Sequence, residues 1–135
     1  MIMTQWEHEQ SEKIIHSTSV AAAGVGAIPF PGADAAPLAA IQCGQIIALG
    51  KVFDIRITDT IAASMVFNSM AQMGGKVIAG GLLKLIPGVG SVVNAGVAFS
   101  ITEAIGWEAA EQFARQKRKD EAEQCARQNM QSESL

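Results

Sequence analysis

Tyrosine is absent from this chain, histidine and cysteine occur twice each, and only 17% of the residues are charged. Each shortage closes a class of function. Soluble domains ordinarily carry about 25% charged residues, so polar surface is scarce. The 10 Lys and Arg against 13 Asp and Glu leave a net charge of -3. That is not the basic excess with which nucleic-acid binders meet phosphate, so neither DNA nor RNA is an expected partner. Cys43 lies in an apolar run and Cys125 in a charged one, with no CxxC spacing and no paired His. Neither a disulfide framework nor a zinc site is signalled, and both residues read as reduced thiols inside a cell. The first residues, Met1 to Glu9, are acidic where a secretory signal requires Lys or Arg. The expected location is therefore the cytoplasm or the cytoplasmic side of an inner membrane.

What is present is small and apolar. The 135 residues are 49% hydrophobic with a mean hydropathy of +0.23, a size that fits one domain. Between Ile14 and Thr102 the charged residues are Asp34, Lys51, Asp54, Arg56, Asp59, Lys76 and Lys84, and all others crowd into the two ends. The intervening gaps approach the roughly 17 to 25 residues of a bilayer-crossing helix. Each also contains polar or helix-weakening residues such as Gln42, Gln45, Asn68, Gln72 and Asn94. None is the Leu-rich run of an ordinary spanning segment.

Turn residues divide the chain. Pro29, Pro31 and Gly32 end one helix and Asp34 caps the next; Pro87, Gly88 and Ser91 repeat the pattern. The polar break from Lys51 to Asp59 is the third boundary, with Thr58 or Asp59 as cap. Helices are expected at about Gln10–Ala27, Asp34–Phe53, Thr58–Ile86 and Ser91–Arg127. The expected fold class is all-α: a four-helix domain of two hairpins linked by Pro-Gly turns, with a long charged helical extension at the carboxyl end. The domain spans 1–128, with an apolar body over about 14–102, a charged helix over 103–128 and a disordered tail over 129–135.

Small residues recur at spacing four, in Ala36, Ala40, Gly44 and Ala48, in Ala71, Gly75 and Ala79, and in Gly96, Ser100 and Ala104. Residues four apart share a helix face, so each ladder is a smooth groove for another backbone. A glycine inside a helix costs about 1 kcal/mol relative to alanine, and close helix packing is the compensating gain. The ladders are expected to serve helix packing or self-association into a homo-oligomer, with a membrane as a second expected partner.

Groups that might carry chemistry are few. A phosphate loop fails at both glycine-lysine pairs: Gly44 to Gly50 is one residue too long, and Met70 stands where Gly75-Lys76 needs a first glycine. His8 and His16 lack a third ligand at metal-binding spacing. The basic cluster Arg115, Lys117, Arg118 and Lys119 reads as a solvated face, because Asp120, Glu121 and Glu123 follow at once. With no nucleophile–base pair in view, no catalytic, cofactor-binding or metal residue is assigned and the chain is expected not to be an enzyme.

The run from Gly26 to Asp34, the Ala, Ile and Gln-rich stretch ending Gly44 to Lys51, and the later Lys84 to Ser91 resemble a bacterial all-helical domain family of unknown function. The resemblance covers about Ile14 to Phe113. That family is often fused after Era-like or interferon-inducible-type GTPase domains, and also occurs in inner-membrane proteins. The resemblance implies a hydrophobic module that couples a GTPase to membrane or to self-assembly. No GTPase domain stands in this sequence, so the implied GTPase partner would act in trans.

Overall fold

The computed structural model describes residues 2–27, 35–72 and 89–134. Among them are four helices and no strand: α1 Gln5–Gly26, α2 Ala35–Val52, α3 Asp59–Gln72 and α4 Val89–Ser134. The all-α reading holds. The turn residues Pro29, Pro31, Gly32, Asp34, Pro87 and Gly88 lie outside the described residues, as do Gly75, Ala79 and the two Pro-Gly links.

Local chemistry explains where the helices begin and end. Helix α1 starts at Gln5, five residues before the expected Gln10, because Thr4 and Glu7 form a capping box. The Glu7 amide donates to Thr4 Oγ1 at 3.1 Å and the Thr4 amide donates to Glu7 Oε1 at 2.9 Å. This pairs two N–H groups that a helix start leaves without partners. Helix α2 ends where Asp54 turns to φ +57°, a left-handed geometry that Asp tolerates better than most residues. The chain then folds back so that the Ile55 amide donates to Gly50 O at 2.8 Å. A Cβ on Gly50 would stand 2.7 Å from Ile55 O, so this return requires glycine. Thr58 then caps α3, accepting from the Ile61 amide at 3.2 Å.

Helix α4 differs from expectation at both ends. It starts at Val89, which places Ser91 inside the first turn instead of at the cap. It runs to Ser134, so 129–134, expected as a disordered tail, are helical. The stretch from Lys119 to Ser134 contains no Gly or Pro and is rich in Glu, Gln, Lys, Arg and Ala, all good helix formers. At 1.5 Å per residue the 46 residues of α4 extend about 69 Å. Everything from Lys119 to Ser134 is exposed, and the last 24 Å or so projects beyond the packed body.

The core joins all four helices around Ile15, Ile46, Leu49, Phe53, Val66, Ile105 and Phe113. Phe53 and Phe113 meet with ring centroids 6.5 Å apart. Each large apolar side chain buried here contributes about 1.5–3 kcal/mol. Helix α4 carries the widest share, because α1 and α2 both pack along it while α3 leans mainly on α2.

Candidate functional site

Burial turns a four-residue ladder on α4 toward the other helices, though not the expected one. Ala98, Thr102, Gly106, Ala110 and Ala114 are all buried. Against them α1 presents Glu7, Ser11, Ile15, Ser19, Ala22 and Gly26, likewise buried. The fit is closest at Gly106, where a Cβ would stand 2.7 Å from Ile15 Cγ1 and 2.7 Å from Gln45 Nε2. The expected ladder of Gly96, Ser100 and Ala104 is two residues out of phase, which turns it about 200° to the exposed side. Ala40, Gly44 and Ala71 are also exposed, and Ala48 is half-buried. A Cβ on Gly44 or Gly96 would meet nothing within 4 Å.

Polar groups occupy the middle of this seam. Thr18 Oγ1 donates to Gln45 Oε1, Gln45 Nε2 donates to Thr102 O at 3.1 Å, and Gln42 Nε2 reaches Thr102 Oγ1 at 3.5 Å. Helices α1, α2 and α4 are thereby joined through buried amides. Satisfaction is incomplete: Ser11 Oγ, Ser19 Oγ and Gln42 Oε1 are buried without a hydrogen-bond partner among the described residues. Such groups cost stability, and natural cores contain few of them.

One end of the seam is ionic. The Glu7 side chain is 2% exposed, and its Oε2 lies 2.8 Å from Lys117 Nζ and 2.6 Å from Arg118 Nη2. Lys117 Nζ is also 3.5 Å from Asp54 Oδ2, which ties the α2–α3 turn to the same cluster. Burial pushes the Glu7 carboxyl upward, but the Lys117 hydrogen bond, the Thr4 amide and the charges of Lys117 and Arg118 outweigh it and hold the group below its ordinary 4.5. Lys117 is held above its ordinary 10.5, chiefly by its hydrogen bond to Glu7. The basic cluster, read from sequence as a solvated face, is thus split: Lys117 and Arg118 turn inward while Arg115 and Lys119 stay exposed. The Thr4-x-x-Glu7 capping box was the signal that could have marked this end of α1.

Further along the seam, His16 Nδ1 lies 2.6 Å from Glu103 Oε1, and Trp107 Nε1 donates to Glu103 Oε2 at 3.2 Å. His8 stacks on Trp107 with centroids 5.1 Å apart. Both histidines therefore join α1 to α4. Among the described residues no three His, Cys, Asp or Glu side chains gather as a metal site. Burial, with the Asp59 carboxylate second, raises the Cys43 thiol above its ordinary 9.0, which disfavours the reactive thiolate.

A groove of about 180 Å³ lies between α2, α3 and α4, floored by Ile46, Ile105 and Ala109 and rimmed by Asn68, Glu108 and Gln112. Beside it Phe67 of α3 is 74% exposed, with Ala63 and Ala71 exposed one turn to either side on the same face. Among the described residues no helix is long and apolar enough to cross a membrane.

No family model, curated protein or solved structure matches the chain. Its functional reading rests on geometry and on the residues themselves.

Proposed function

We propose that the chain is a non-enzymatic helical module that self-associates and rests on a membrane surface. The observation that carries this reading is the α3 face around Phe67, 74% exposed, together with the outward small residues Ala40 and Gly44 of α2. Exposed apolar patches of this kind mark interaction surfaces, and small residues let a neighbouring helix approach closely. A GTPase supplied by a separate chain is the partner that the family resemblance adds. A second reading, self-association without membrane contact, draws on the buried amides of Gln42 and Gln45 and on the absence, among the described residues, of a helix fit to cross a bilayer.

Light scattering on the purified chain tests the self-association. A Cβ on Gly44 meets nothing within 4 Å and Phe67 is 74% exposed, so Gly44→Leu and Phe67→Ser are expected to leave helicity unchanged while the assembly shifts to monomer. A wild-type chain that is monomeric at all concentrations, or variants that assemble as the wild type does, would remove the proposal.

A further inference from the structure

Helix α1 is docked by unusual means. Its buried face offers Ile15 as the one fully buried large aliphatic side chain, with Ile14 partly buried against the core, alongside Ser11, Ser19, Ala22, Gly26 and the ion-paired Glu7. The hydroxyls of Ser11 and Ser19 find no partner there. Burial of apolar area therefore contributes less to holding α1 than it does for α2, and the contact of Glu7 with Lys117 and Arg118 contributes more.

The same contact is incompletely matched. The two Glu7 oxygens meet Lys117 Nζ and Arg118 Nη2, Glu121 Oε2 lies 3.4 Å from Arg118 Nη1, and Asp54 Oδ2 lies 3.5 Å from Lys117 Nζ. Arg118 Nε is buried with no acceptor among the described residues. Arg115 and Lys119 flank the pair on the same helix and are exposed. A lipid phosphate has two charged oxygens, as a carboxylate has, and further ester and headgroup oxygens that offer Nε an acceptor. It also brings charge to four cations whose one buried counter-ion is Glu7, the neighbouring Asp54, Asp120 and Glu121 being exposed to solvent.

We propose that Lys117 and Arg118 form a binding site for the phosphate of anionic phospholipids, which Glu7 occupies as a built-in competitor, so that lipid binding releases α1. Release uncovers the apolar α2 and α4 surfaces on which Ile15 sits, giving the membrane a hydrophobic contact that the latched chain withholds. The inference rests on the membrane half of the function proposed above, and it supplies the ligand and the trigger.

The test combines vesicle sedimentation with hydrogen exchange on the full chain, using phosphatidylcholine vesicles with and without phosphatidylglycerol. The wild type is expected to bind the anionic vesicles and not the neutral ones, with loss of amide protection in α1 on binding. Lys117→Gln with Arg118→Gln also frees α1, so its readout is selectivity: the preference for anionic over neutral vesicles is expected to fall about twenty-five-fold, from roughly fivefold for each basic residue near an anionic surface. Glu7→Gln is expected to bind about tenfold more tightly, the order set by one charge-assisted contact that no longer has to be given up.

Binding with α1 protection unchanged, or an unaltered anionic preference in the double variant, overturns the latch while leaving membrane association standing. Failure to bind either vesicle overturns both. If soluble glycerol phosphate opens α1 as fully as vesicles at equal phosphate, the lipid assignment is wrong. Should circular dichroism show Glu7→Gln unfolded, the wild-type exchange arm decides alone.

Discussion

Gly106→Ala probes the close approach of α1 and α2 to α4. The added methyl would stand 2.7 Å from Ile15 Cγ1 and 2.7 Å from Gln45 Nε2, well inside ordinary van der Waals contact. Neither neighbour can retreat freely, because Ile15 is fully buried and Gln45 Nε2 donates to Thr102 O at 3.1 Å. Overpacking of this kind costs about 1–3 kcal/mol. Displacing Gln45 adds about 1 kcal/mol or more for a buried amide left unpaired. Against these, alanine in a helix interior is about 1 kcal/mol better than glycine. The net expectation is a destabilisation of about 2 kcal/mol. Gly44→Ala is the control, since its Cβ meets nothing within 4 Å and only the propensity gain remains. Urea unfolding followed by far-ultraviolet circular dichroism, at a concentration where the chain is monomeric, measures both. A Gly106→Ala chain as stable as the wild type, or a Gly44→Ala chain less stable than it, would refute the packing of α1 and α2 onto α4.

Two further outcomes follow from the buried polar groups. Ser19→Ala removes a buried hydroxyl without a partner and adds a better helix former, so a gain of about 1 kcal/mol is expected in the same urea titration; a loss would mean that the hydroxyl is bonded after all. Glu7 is held below its ordinary 4.5, so its contribution is fully present above that value and is lost as pH falls through the lower folded value. Lys117 reports the same contact from the other side: its part is present below 10.5 and lost as pH rises through its higher folded value. Stability measured from neutral pH to pH 3 should therefore fall more steeply for the wild type than for Glu7→Gln, and parallel curves would contradict the buried pair.

The sequence by itself determined the helices. Charge-poor runs too long and too rich in alanine for strands pointed to helices, and the polar break at Lys51 to Asp59 became the α2–α3 turn. Capping at Thr58 was legible as well, because a cap needs only residues within one turn, whereas the Thr4 and Glu7 box, written in the same local code, was missed and α1 was expected to start at Gln10. What the tertiary structure alone decided was which face of each helix turns inward. On α4 the small residues Gly96, Ser100 and Ala104 and the small residues Ala98, Gly106, Ala110 and Ala114 obey the same local spacing. Only the arrival of Ile15 and Gln45 against Gly106 selects the second set. The ionic cluster was hidden for the same reason. Glu7 and Lys117 lie 110 residues apart, and a charge run that reads as solvated becomes half-buried when a distant carboxylate closes on it. Spacing along one helix fixes what can share a face, while the partner that covers the face comes from packing between helices far apart in sequence.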